Sequence, residues 1–166
     1  MEIRRIRADE WRELRELRLR ALLDTPDAFG ATYDQESIDP EQEWIDWVVD
    51  GAEGGRSFWA LAVDDDTGPL GGMAFGSRHR DVADAIGLFA MWVDPDVRGQ
   101  GLGRRLVEAV VGWARTTERP RVVLSVNETN EPAIRLYGAC GFTPTGTTHP
   151  IREGSPIVAM SMALVL

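Results

Sequence analysis

An apolar run, Ile86 to Val93, drops into Asp94-Pro95 and then, through Arg98-Gly99-Gln100-Gly101-Leu102-Gly103, into an amphipathic stretch. A buried strand, a glycine-rich turn and a helix, in that order, limit the fold more than any other feature of the chain. An ordinary turn needs one such glycine. Three at alternate positions leave backbone N–H groups without side-chain cover. The helix start adds its own unpaired N–H groups and a partial positive charge. That combination is a phosphate cradle, and Arg98, Arg104 and Arg105 put full positive charges around it. The expected ligand is a polyanion carrying a pyrophosphate. The competing reading is a sharp strand-to-helix turn and nothing more.

Three glycine-rich cradles differ in spacing. A P-loop needs a lysine for the outer phosphates, and the chain has no lysine; all eighteen basic residues are arginine. A dinucleotide fingerprint needs G-x-G-x-x-G, whereas the glycines here fall at 99, 101 and 103. The third, Arg/Gln-x-x-Gly-x-Gly/Ala, is matched by Arg98, Gly101 and Gly103.

With that loop, the sequence resembles the GCN5-related N-acetyltransferases. A second signature of that family, N-x-x-A-x-x-x-Y followed by G-F, is similar to Asn130-Glu131-Pro132-Ala133-Ile134-Arg135-Leu136-Tyr137 and Gly141-Phe142. The family-like stretch covers about residues 56 to 145, and Leu22-Leu23-Asp24-Thr25-Pro26-Asp27-Ala28-Phe29-Gly30 resembles a common bacterial version of the fold. The resemblance implies an α/β (α+β) fold. Its mixed, mostly antiparallel central sheet is splayed between strands four and five and flanked by about four helices. It also implies acetyl-CoA as co-substrate and direct transfer of acetyl to a primary amine of a small molecule or a protein.

The pattern along the chain agrees with one domain, residues 1 to 166. Strands are expected at 3–6, 57–63, 70–76, 86–93, 122–126, from Phe142, and at 159–166. A first helix, capped by Asp9, should run to about Leu23, with Pro26 beyond it. A second should start with Asp39 as N-cap, Pro40 first and Gln42 in the capping-box position, with Gly51 as its stop. The main helix should span Leu102 to about Thr116, and a short one should run from Asn130 to near Ala139. Asp64 to Pro69 reads as a solvated hairpin turn, since its aspartates lack calcium-loop spacing. Gly71-Gly72 suggests a bulge. No signal peptide or membrane span is expected, and one cysteine, Cys140, fits a reducing cytoplasm. The net charge of −9 argues against nucleic acid as a partner. It fits steering of a cationic amine, or solubility alone. A homodimer stays open.

Acetyl transfer from a thioester to an amine needs a held donor, a stabilised carbonyl oxygen and two proton movements. By resemblance, the pyrophosphate lies on the backbone of Arg98, Gly99, Gln100, Gly101, Leu102, Gly103 and Arg104. The pantetheine arm lies along Met91, Trp92 and Val93. Trp92 can equally be a core residue. Asn130 caps its helix and, by resemblance, approaches the pantetheine beside Ala133. Tyr137 is the candidate acid for the departing thiolate; an ordinary aromatic core contact is the alternative. The base stays open among Glu36, Asp84 and Glu43, or a water oriented by Ser125. A non-catalytic CoA-binding domain and transfer of another acyl group are the rivals.

Overall fold

The structure is a computed structural model that describes residues 1–65 and 68–166. The centre of the expected 64–69 turn, Asp66-Thr67, lies outside the described residues. Strands β1 (Glu2–Arg5), β2 (Ser57–Val63), β3 (Leu70–Arg78), β4 (Ala85–Val93), β5 (Arg121–Asn127), β6 (Thr143–Pro150) and β7 (Val158–Val165) form one sheet. Its order is β1-β2-β3-β4-β5-β7-β6. β4 and β5 run parallel; the other neighbours are antiparallel. Helices α1 (Trp11–Asp24), α2 (Tyr33–Glu36), α3 (Glu41–Glu53), α4 (Leu102–Ala114) and α5 (Glu131–Ala139) complete the chain. The single turn of α2 lies in the stretch expected as loop or short helix, and makes five helices where about four were expected.

Successive strand residues point to opposite faces, and here both faces are covered. Ala60, Ala62, Ala74, Ile86 and Leu88 lie in one apolar cluster with Leu102, Leu106, Val107 and Val110 of α4. Trp59, Leu61, Met73 and Phe75 lie in the other, with Leu14, Leu17 and Ala21 of α1 and Val48 of α3. Small residues under α4 bring it close to the sheet, and the bulky ones fill the broader space under α1 and α3. Strands covered on both faces read as continuous apolar runs, which is why β2, β3 and the first half of β4 were visible in the sequence.

Three helix boundaries differ from expectation. Glu10 precedes α1 and Pro40 precedes α3, neither with a side-chain cap bond. Gln42 bonds Asp46 within α3 instead of closing a capping box. Gly51 does not stop α3, which continues to Glu53 with Gly54 beyond it. The reason is Arg5: its guanidinium donates to the carbonyls of Gly51, Gly54 and Ser57, satisfying helix-end acceptors that a glycine cap would otherwise serve. Gly51 is needed for approach, since a Cβ there would overlap Trp59 Cδ1.

The sheet carries two irregularities. The register slips between Ala62 and Val63 opposite Gly71, the bulge expected from the glycine pair. A second slip leaves Ala74 facing an extra residue on β4, where Ala90 adopts φ +52°. A left-handed alanine is strained, and bulges of this kind concentrate beside active sites. β4 and β5 pair only at Ala85/Arg121, Ile86/Val122 and Gly87/Val123, and then diverge. β5 continues on β7 as far as Asn127. The second half of β4 is therefore not fully covered: Phe89 is 42% exposed, and Ala90, Met91 and Val93 are half-buried.

Gly51→Leu should cost about 1–3 kcal/mol by overpacking against Trp59. Thermal melting should show a drop of several degrees. Gly55→Ala, where a Cβ meets nothing within 4 Å, should leave the melting temperature unchanged.

Candidate active site

The turn after β4 is built to expose its backbone. Asp94 accepts from the Asp96 amide and Pro95 opens a short 3₁₀ turn. Gly99 and Gly101 then adopt φ +79° and +75°, conformations that favour glycine. A Cβ at either would meet nothing within 4 Å, so both face open space. Among the described residues, none of the amide groups of residues 99–104 donates to a protein acceptor; the first helical bond of α4 comes from Arg105 N to Gly101 O. Six consecutive free donors at a helix N-terminus suit a diphosphate. Gly103 serves packing instead. Its Cβ would come within 3.0 Å of Met91 Cε and 3.2 Å of Leu136 Cδ2, so it lets α4 sit against β4 and α5.

The three arginines around the turn are committed to protein partners. Arg105 donates to Met1 O. Arg104 pairs with Glu108 on the helix surface. Arg98 reaches back, with Nε donating to Val93 O at 2.9 Å and Nη2 to Asp24 Oδ2 at 2.8 Å. The same Asp24 oxygen accepts from Trp92 Nε1 at 3.0 Å. Desolvation raises the Asp24 pKa, but the bonds from Trp92 and Arg98 outweigh it and hold the carboxyl below its ordinary value. Asp24, at the end of α1, thus fastens both the turn and the last residues of β4. Trp92 is a core residue with a polar handle, and the groups of the turn left free to meet an anion are backbone amides.

Past Gly87, the edge of β4 that faces β5 has no strand partner. Met91, Trp92 and Val93 lie along this edge, above the turn. Across the gap, Asn130 Oδ1 accepts from Ala133 N at 3.2 Å, the expected cap of α5. Tyr137, on α5, is 7% exposed and shares an apolar cluster with Leu102, Leu106 and Val126. Its ring packs edge-on to Phe142 at 6.1 Å. Burial first, and then the neighbouring Cys140, push the Tyr137 pKa well up, so its hydroxyl stays protonated near neutrality.

On the other face, a groove of about 460 Å³ lies over the β4 bulge. Glu36, Trp47, His79, Arg80, Phe89 and Ala90 are among its lining residues. Glu36 is held by Arg18 through two 2.8 Å bonds. Glu43 lies outside this groove, beside Asp39 and Trp44. Asp84 pairs with Arg119, six residues before Ala90. At about 3.3 Å per residue that is roughly 20 Å from the bulge, too far to serve a reaction there. Among the groove's charged side chains Arg18, Arg78 and Arg80 stand against Glu36 and Asp81, so carboxylates do not dominate its lining.

The chain matches the model of the acetyltransferase (GNAT) family over residues 8–142. The chain belongs to this family. It is an acetyltransferase, with acetyl-CoA as its co-substrate. Among its relatives is the peptidyl-lysine N-acetyltransferase YjaB of Escherichia coli, 32% identical over 165 residues, covering 99% of this chain and 97% of that protein. The mycothiol acetyltransferase of Thermobifida fusca is 33% identical over 150 residues, 86% of this chain but 43% of that protein. The fold is shared with a GNAT acetyltransferase from Streptococcus pneumoniae (TM-score 0.82, 23% identity, 99% of each chain). It is also shared with a phosphinothricin acetyltransferase from Sinorhizobium meliloti solved with AcCoA (TM-score 0.76, 20% identity, 99% of this chain and 88% of that one). Sequence reasoning missed Asp24. Its partners lie 68 and 74 residues away, so the run Leu22 to Gly30 contained it without showing its role.

Gly101→Asp should abolish measurable acetyl-CoA binding by calorimetry in a protein that still folds, because it puts bulk and negative charge among the free amides. Asp24→Asn keeps an acceptor for Trp92 but removes the charge holding Arg98. It should raise KM for acetyl-CoA several-fold while leaving kcat nearly unchanged, as steady-state kinetics would show.

Proposed function

We propose that this acetyltransferase modifies the primary amine of a lysine side chain on a peptide or protein. Transfer is direct, within a complex of both substrates. The observation that carries this reading is the gap between β4 and β5. It is flanked by the free backbone of the turn at one end, Tyr137 on one face and the groove on the other. The full-length relative named as a peptidyl-lysine N-acetyltransferase supports the acceptor. A small free amine is the second reading, favoured by the groove's volume, which falls in the range of small-molecule sites. The mixed charge of the lining gives no reason to require a polycation. A cytoplasmic site of action fits the single free cysteine, Cys140. No described helix is long and apolar enough to cross a membrane.

Acetyl-CoA supplies the activated acetyl group. The amides of residues 99 to 104 bind the diphosphate, with the helix start adding its positive end. The backbone of Met91 to Val93 aligns the arm as an added strand would be aligned, with Asn130 and Ala133 across the gap. The oxyanion donors in this reading are amide N–H groups at the Ala90–Met91 bulge, which would meet the carbonyl oxygen as it gains charge. The Tyr137 hydroxyl, kept protonated by burial, gives its proton to the leaving sulfur.

Thiol release from acetyl-CoA tests the acceptor, with lysine peptides set against polyamines, amino acids and aminoglycosides. Preference for a free small amine would overturn the lysine reading. Tyr137→Phe keeps the packing against Phe142 and removes the proton donor. Turnover should fall about 10²-fold or more, with acetyl-CoA affinity and melting temperature little changed. Tyr33→Phe, on exposed α2, is the matched control and should have a small effect.

A further inference from the structure

We infer that Ser125 and His149 form the proton-accepting pair that deprotonates the acceptor amine. This rests on the amine-acetylating reading above and adds a base to it. The pair is defined by one contact, Ser125 Oγ to His149 Nε2 at 3.2 Å, between residues 24 apart on strands that are not neighbours.

The register puts this pair at the mouth of the gap. Gly87 and Val123 are the last residues that β4 and β5 share. Two positions further along each strand, on the same face, stand Phe89 and Ser125. That face is the groove side, because a Cβ on Gly87 would touch Phe89 and His79. Phe89 lines the groove. Ser125 is therefore the β5 counterpart of Phe89, and both are exposed. Val122, Leu124 and Val126 point the other way, into the cluster that contains Tyr137. The hydroxyl of Tyr137 and the Ser125–His149 pair thus approach the gap from opposite faces of the sheet. An acid on one face and a base on the other is the arrangement that direct transfer requires.

His149 reaches Ser125 across β7 because the residue between them is small. His149 is opposite Ala159, and Ser125 is opposite Ser161. The neighbourhood is tied down from α1's side. Asn127 Nδ2 donates to Asp27 O, and Arg152 Nη1 donates to Phe29 O at 2.7 Å. These bonds draw residues 27–29 over the ends of β5 and β6. Charged groups on the surrounding elements are few. The 26–28 turn brings Asp27, and the β6–β7 connection brings Arg152 and Glu153, with Arg152 engaged on Phe29. β7 presents Ala159 and Ser161, and β5 presents Ser125 and Asn127. An imidazole is the side chain suited to take a proton near neutral pH.

The step balances from the neutral amine. The amine nitrogen bonds to the acetyl carbon, and the carbon–sulfur bond breaks. One amine proton passes to Ser125 Oγ while the serine's own proton moves to His149 Nε2. The leaving sulfur takes the Tyr137 proton. Solvent returns a proton to the tyrosine and removes one from the imidazole. Ser125 relays a proton and is not acetylated.

The test uses full-length protein and whichever amine the wild type turns over fastest. A wrong acceptor class then shows in the wild type, and a wrong base shows only in the variants. His149→Ala should lower kcat about 10²-fold or more with little change in KM for acetyl-CoA or in melting temperature. It should lose the acidic limb of the kcat–pH profile, and added imidazole should restore part of the rate. Ser125→Ala should lower kcat less, and the double variant should be no slower than His149→Ala alone. Wild-type kcat in His149→Ala would overturn the assignment, as would a loss matched by a lower melting temperature without imidazole rescue. An acetyl adduct on Ser125 by mass spectrometry would also overturn it, since the serine would then be a nucleophile.

Discussion

Everything functional in this fold depends on two parallel strands that stop pairing after three residue pairs. β3 holds one edge of β4 and β7 holds one edge of β5, so each strand is secured from outside while the edges between them part. Unpaired backbone groups at such a depth ordinarily find a partner, and in the proposed complex an amide-bearing arm would supply one. The extra residue at Ala90 sharpens the divergence and turns Phe89 outward. The turn, the tyrosine and the groove gain a shared focus from this single departure from regular sheet.

The parts readable in advance were those whose information is local. Continuous apolar runs marked β2, β3 and β4 because both faces are covered. Arg98-x-x-Gly101-x-Gly103 marked the turn because left-handed φ and exposed amides need glycine at 99 and 101. Asn130 was readable as a cap because its donor, the Ala133 amide, is three residues on. Failures had a common cause in distance along the chain. Gly51 looked like a helix stop, but Arg5, 46 residues earlier, carries the helix past it. Asp84 looked like a free acid near the site, yet it belongs to the far end of β4. Asp24 and His149 carried no local signal, since their partners come from other strands.

The arginines explain part of this. Arg5, Arg18, Arg98 and Arg152 each join distant segments through a carbonyl or a carboxylate. A planar guanidinium can hold several acceptors at fixed angles, which a lysine ammonium cannot. The consequence for binding is a division of labour. Guanidinium groups organise the scaffold, and backbone N–H groups are left to face the anion. That division explains why the charges around the turn are paired internally while the turn itself stays unpaired.

The arginine-only set of cations bears on how the molecule fares among its own products. A chain that handles an activated acetyl group carries no ε-amine in its own side chains. Guanidinium groups stay protonated at any physiological pH and are poor nucleophiles. The scaffold bonds described above are therefore chemically inert to the activated thioester bound beside them. Self-labelling at side-chain amines has no foothold here.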